Sequence, residues 1–161
     1  MTTPRVGLRA GTRRDLDAVN AVVERAVMTW DLPERVKRLS MATYRYTEQD
    51  LEQLQLVLAE SADDRVLGVA AWEGAEPKDT PAGCRGLLLH GIYVDPAVHR
   101  GGVGTRLLAA AEAAARAQAR DGVLVKAQRG AEGFFVARGF RKLAVQDPAR
   151  DYPHRLWKPV S

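Results

Sequence analysis

Apolar residues recur at helical spacing over Asp15–Met28, where Leu16, Val19, Val23 and Val27 share one side, and Thr12 stands ahead of them as a capping residue. The spacing predicts a helix that Trp30-Asp31-Leu32-Pro33 breaks, and a second helix is expected over Glu34–Ala42. Val6–Ala10 reads as a short strand, whereas residues 43–50 are polar and predict no element. Leu54–Glu60 and Arg65–Trp72 are rich in Val and Leu, and the polar Ser61-Ala62-Asp63-Asp64 between them reads as a hairpin turn. Leu87–Val94 is an almost unbroken apolar run, the pattern of a strand buried on both faces in the middle of a sheet, and Asp95-Pro96 ends it. Val103, Leu107, Leu108, Ala111 and Ala115 mark one side of a long helix reaching to about Ala119. A strand over Val123–Ala127, a short helix over Ala131–Arg138 stopped at Gly139, and strands over Phe140–Val145 and Arg155–Lys158 complete the chain. Strands and helices interleave, so the expected class is mixed α/β.

Glu73–Gly86, with three glycines and two prolines, reads as a loop with freedom to move. A domain boundary there would leave neither half a full core, and one domain over 1–161 is expected. No run of eighteen apolar residues occurs, so no membrane span is expected. Met1-Thr2-Thr3-Pro4-Arg5 lacks the apolar centre of a secretory signal, and Cys84 is the one cysteine. A cytoplasmic protein with no metal site follows as the expectation. The formal charge of +4 is spread along the chain, without zinc-finger spacing or a stretch of interleaved basic and aromatic residues. Nucleic acid is therefore not expected as a partner. A basic surface would suit a polyanionic small molecule.

The chemistry concentrates where the apolar strand meets the long helix. His99-Arg100-Gly101-Gly102-Val103-Gly104 joins them. Glycines let the backbone approach a ligand closely. The first amides of a helix have no partner within it and lie at the positive end of its dipole, so a phosphate or pyrophosphate fits there. The plainer reading is a glycine-rich turn that binds nothing. A P-loop is absent, and Gly102-Val103-Gly104 does not extend to GxGxxG.

This turn resembles the signature [Q/R]-x-x-G-x-[G/A] of the GNAT superfamily of N-acetyltransferases, with His99 in the first position. Ile92-Tyr93-Val94-Asp95-Pro96 is similar to the strand end that precedes it in that family. Gln128 through Phe140 resembles the family's N-x-x-A-x-x-x-Y-x-x-x-G-F, with Gln128 for Asn and Phe135 for Tyr. The resemblance implies a mostly antiparallel sheet of six to seven strands, splayed between the fourth and fifth, with about four flanking helices. It implies acetyl-CoA, or another short acyl-CoA, as co-substrate, with the pantetheine arm in the splayed cleft. Cofactor contacts would come from Ile92, Tyr93, Val94, His99, Arg100, Gly101, Gly102, Val103, Gly104, Thr105, Gln128 and Phe135. Arg100 and Arg106 would either add charge beside the phosphates or stay solvated.

The implied reaction moves an acetyl group to a primary amine of a small molecule or peptide by direct attack in a ternary complex. His90, four residues before Val94, is the candidate base, since an unperturbed imidazole titrates near neutrality; the alternative is a buried structural histidine. The amide of Ile92 or Tyr93 would meet the oxyanion. Phe135 has no hydroxyl for the leaving thiolate. Either the thiolate leaves unprotonated, or Tyr93 or Tyr152 donates, or the protein is a non-catalytic acyl-CoA-binding module. Acceptor binding falls to Met28, Trp30 and Asp31, with Trp30 as an apolar wall or as plain helix packing. A different nucleotide-binding α/β domain is the third reading. A monomer or a homodimer is expected.

Overall fold

The computed structural model describes residues 6–99 and 101–161, and only the main chain of Arg129. Seven strands are hydrogen-bonded in the order β1-β2-β3-β4-β5-β7-β6: β1 Val6–Ala10, β2 Gln55–Ser61, β3 Val66–Gly74, β4 Gly86–Val94, β5 Gly122–Lys126, β6 Arg141–Lys142 and β7 Arg155–Pro159. Five helices accompany them: α1 Leu16–Met28, α2 Glu34–Tyr44, α3 Glu48–Gln53, α4 Val103–Ala117 and α5 Glu132–Val136. The mixed α/β class and the seven-stranded sheet agree with the expected fold, and the structure adds that β4 pairs with β5 in parallel. Among the described residues, no helix is long and apolar enough to cross a membrane. The chain divides into two compact units, each drawing on β3, β4 and α4.

The first unit holds the described residues up to Ala71 together with Ile92–Leu108. β1 runs antiparallel to β2, Val6 opposite Ser61 and Ala10 opposite Val57. Its core gathers Val19, Val22, Val23 and Val27 of α1 with Leu56, Leu58, Val66 and Val69 of the hairpin, each side chain worth roughly 1.5–3 kcal/mol on burial. Asn20 of α1 pins residue 46 by donating to its carbonyl at 2.9 Å and accepting from its N–H at 2.8 Å. The hairpin turns where expected: Ser61 N–H donates to Arg65 O at 2.9 Å, and Asp64 takes φ 62, a left-handed value that aspartate tolerates. Within the polar stretch that predicted no element, α3 begins. Thr47 Oγ1 accepts from Asp50 N–H at 3.3 Å while the Asp50 carboxylate accepts from Thr47 N–H at 2.8 Å, a reciprocal cap.

The second unit holds Trp72–Gly91 and Ala109–Ser161. β4 pairs in parallel with β5 from Gly86–Gly122 to Leu89–Val125, and β5 pairs antiparallel with β7. A Cβ on Gly122 would lie 2.4 Å from the Trp157 ring and 2.6 Å from Lys158 O, so only glycine fits beneath that indole. The last sheet segment is shorter than the expected Phe140–Val145. Phe140 turns inward, buried and 5.3 Å from the Phe135 ring, and the strand is Arg141–Lys142, with Leu143 N–H donating to Arg155 O of β7 at 2.9 Å.

The loop after β3 departs from its sequence signature. It contains a 3-10 turn, Pro77–Asp79, and buries Asp79 and Thr80. Lys126 Nζ lies 3.0 Å from Asp79 Oδ2, and Arg155 donates to Asp79 O at 3.0 Å and to Ala144 O at 3.1 Å. Thr80 Oγ1 donates to Cys84 O at 2.9 Å, and Arg85 N–H donates to the Asp121 carboxylate at 2.6 Å. Glycine and proline content marked flexibility; buried polar anchors from β5 and β7 oppose it.

Candidate functional site

In the first unit, β4 ends because Pro96 can donate no ladder hydrogen bond. Asp95 then organises the turn. Its carboxylate, 2% exposed, accepts from Ala97 N–H at 3.0 Å, Arg25 Nη2 at 2.9 Å and Arg65 Nη2 at 3.2 Å. Burial works against its charge, but those three donors outweigh burial and hold its pKa below the usual carboxylate value. Asp95 N–H donates to Leu67 O at 2.8 Å, so both its backbone and its side chain tie β4 to the hairpin.

A 3-10 turn, Pro96–Val98, leads into the glycines. Gly101 N–H donates to Val98 O at 3.1 Å, so Gly101 contributes room and not its amide. Gly102 takes φ +81, which an L side chain rarely adopts, and a Cβ there would meet no atom within 4 Å. At the start of α4, Arg106 N–H donates to Gly102 O at 3.0 Å. The amides of Val103 and Gly104 precede it and, by helix geometry, find no acceptor within α4. Val103, buried, anchors the start of the helix. The result is a positive helix terminus with open space at Gly102 among the described residues, suited to an anion. His99 and Thr105 are exposed beside it. Arg106 donates to Val6 O. Arg100 lies outside the described residues.

The same unit brings together two residues singled out for different roles. The Trp30 ring stacks on Tyr93, centroids 6.4 Å apart at 25°, and meets Tyr44 edge-on at 5.1 Å. Tyr46 closes on Tyr93 edge-on at 6.3 Å. Burial pushes the Tyr93 hydroxyl above its ordinary range, so it keeps its proton and is chemically a donor; it has no hydrogen-bond partner among the described residues. Ile92 and Val94 flank it, half-buried. Lys37 Nζ donates to Met28 O at 2.8 Å and Trp30 O at 3.2 Å, fixing the end of α1. Asp31 is exposed.

In the second unit, His90 is exposed on β4, not buried, and its Nε2 meets Oε2 of Glu73 on β3. Phe135 is buried, with Phe134 at 5.1 Å and Phe140 at 5.3 Å, both edge-on. Phe135 is thus packed in the core of the second unit. Gln128 is half-buried in extended backbone, its carbonyl accepting from Ala131 N–H at 2.9 Å. Tyr152 donates its hydroxyl hydrogen to Ala127 O at 2.9 Å, just past β5. His154 Nδ1 meets Oε1 of Glu132, which holds that carboxyl below its usual pKa against burial, with Lys142 assisting.

Sequence reasoning missed Glu73, Arg25 and Arg65. Each acts across elements: Glu73 from the neighbouring strand, the arginines from α1 and from the hairpin. Nothing in a single sequence gives that register.

Residues 24–151 match the family model of the GNAT acetyltransferase domain. No curated protein matches the chain in sequence. In fold it is similar to the PaiA N-acetyltransferase of Thermoplasma acidophilum in complex with coenzyme A, at a TM-score of 0.78 and 14% identity over 96% of this chain and 99% of that one. It is similar to a GNAT family acetyltransferase of Brucella melitensis in complex with acetyl-CoA, at 0.67 and 18% over 98% and 89%. A GNAT family acetyltransferase of Staphylococcus aureus gives 0.69 and 12% over 98% and 100%.

Proposed function

The chain belongs to the GNAT acetyltransferase family, and we propose that it transfers the acetyl group of acetyl-CoA, or of a similar short acyl-CoA, to a primary amine of a small molecule or peptide, by direct attack in a ternary complex. The observation that carries this reading is the glycine turn. Gly102 at φ +81, with open space where a Cβ would stand, precedes helix amides that no helical carbonyl takes. The residues present therefore fit a pyrophosphate. The amides of Gly102, Val103 and Gly104 hold it, and the main chain of Ile92 and Val94 offers hydrogen bonds to the pantetheine arm. When bound, acetyl-CoA supplies an activated acyl thioester.

The residues of the chain do the rest. His90 takes a proton from the ammonium form of the acceptor, freeing the lone pair that attacks. The amide of Ile92 or Tyr93 donates to the oxyanion, a contribution of about 3 kcal/mol for a fixed donor. Phe135 cannot donate to the departing sulfur. Tyr93 holds its proton and is the candidate donor; without it, the sulfur leaves as thiolate, since a thiol has a pKa of only about 8.5. Met28, Trp30 and Asp31 form the acceptor side, with the Asp31 carboxylate attracting a cation.

A second reading, a non-catalytic acyl-CoA-binding module, has one observation in its favour: Phe135 sits in an aromatic cluster and has no hydroxyl. One experiment separates the two. Acetyl-CoA is added with a panel of amino acids, polyamines, aminoglycosides and peptides, and free thiol is followed while the melting temperature is read in parallel. Amine-dependent thiol release supports the enzyme; stabilisation with no thiol release supports the module; neither response removes both.

A further inference from the structure

We infer that Glu73 is the positioning residue of His90 and that it fixes which ring nitrogen is open to receive a proton; the inference rests on the reading of His90 as the base. β3 and β4 are neighbours in the sheet, and both residues lie in the second unit. Oε2 of Glu73 meets Nε2 of His90. An ionised carboxylate only accepts hydrogen bonds, so the nitrogen facing it carries the hydrogen. The neutral ring is then the Nε2–H tautomer with its lone pair on Nδ1, and Nδ1 has no partner among the described residues.

Exposure argues against a role in holding the fold. The two side chains are 36% and 41% exposed, and ion pairs in such settings add little to stability. The arrangement instead has a chemical consequence. The acceptor's N–H bond breaks, its electron pair stays on the amine nitrogen, and the proton bonds to Nδ1. The imidazolium so formed places its charge against the Glu73 carboxylate through Nε2–H, and the Nδ1 proton then passes to solvent. Without Glu73 the ring exchanges tautomers and turns freely, and part of the population presents Nε2 or no lone pair at all.

The deciding experiment is long-range proton–nitrogen NMR on protein with labelled histidine and no ligand, His90 being assigned by its loss in His90→Ala. The expected result is a single Nε2–H form of His90 in the native protein and averaged ring-nitrogen shifts in Glu73→Ala, with Glu73→Asp restoring part of the native pattern. Averaged shifts already present in the native protein, or a pattern untouched by Glu73→Ala, overturn the inference. Kinetics supply a second arm, on whichever of spermidine, kanamycin, lysine and a short peptide turns over. Glu73→Ala is expected to lower kcat roughly tenfold with the KM for acetyl-CoA unchanged, and to have no further effect in the His90→Ala background. A full kcat in Glu73→Ala beside a crippled His90→Ala defeats the inference and leaves the base reading standing. A full kcat in His90→Ala defeats the base reading, while the NMR arm still reports on the pair.

Discussion

Replacing Gly102 with alanine separates the cost of the backbone from the grip on the ligand. Gly102 sits at φ +81 with no atom within 4 Å of an added Cβ, so Gly102→Ala meets no steric clash and the cost in the free protein is conformational alone. A left-handed non-glycine residue costs roughly 1–2 kcal/mol, of which the stiffer unfolded chain returns a part, leaving about 1 kcal/mol. For a chain of 161 residues that corresponds to a fall in melting temperature of about 3 °C. The Cβ would stand in the space above the helix amides, where a phosphate would rest. Acetyl-CoA at a hundred times its Kd stabilises a protein by about 2.7 kcal/mol, or about 8 °C here. A tenfold weaker Kd at the same concentration leaves about 1.4 kcal/mol, roughly half the shift. Differential scanning fluorimetry with and without acetyl-CoA reads both quantities from one pair of curves. A variant that melts about 3 °C lower alone, yet gains the full native shift with acetyl-CoA, would refute the assignment of the phosphates to this turn.

Other tests bear on the surroundings. Asp95→Asn keeps an acceptor for Ala97 N–H but gives up two charge-assisted bonds to half-exposed arginines; a loss of about 2 kcal/mol is expected by urea unfolding. Because the Asp95 pKa is lowered by folding, its contribution is present above the unfolded value of about 3.9 and disappears as pH falls through the folded value. The native protein should therefore lose its advantage over Asp95→Asn in acid, and a stability gap that does not change with pH would contradict the pairing. Phe135→Tyr inserts a hydroxyl among the rings of Phe134 and Phe140, and a buried group left without a partner costs about 1–3 kcal/mol. A lower melting temperature without ligand is expected; an unchanged one would mean that the ring is not packed as described.

The parts of the fold legible in the sequence are those set by local periodicity. Val103, Leu107, Leu108, Ala111 and Ala115 are all buried on α4, as their spacing required, and the apolar run before the glycines is indeed a strand inside the sheet. α3 escaped notice because it has few apolar residues to reveal a period; its one signal was Thr47 three residues before Asp50, a cap built with aspartate in place of the usual glutamate. The glycine turn was legible because positive φ and close backbone approach restrict the residue type. The partners of Asp95 and His90 were not, because a contact between residues 25 and 95, or 73 and 90, depends on register and helix placement that only the folded chain supplies.

The anchored loop after β3 bears on how this protein could be engineered. Its glycines and prolines invite its use as a site for a tag, a cleavage sequence or a chain break. Yet Asp79 and Thr80 are buried, and Arg155 and Lys126 reach Asp79 from β7 and β5. An insertion at that point would part the Asp79 carboxylate from Lys126 and take one carbonyl acceptor from Arg155 inside the second unit, and would loosen the very strands that flank them. Grafts belong elsewhere on the surface, and an endopeptidase would find this segment a poor substrate while the fold is intact.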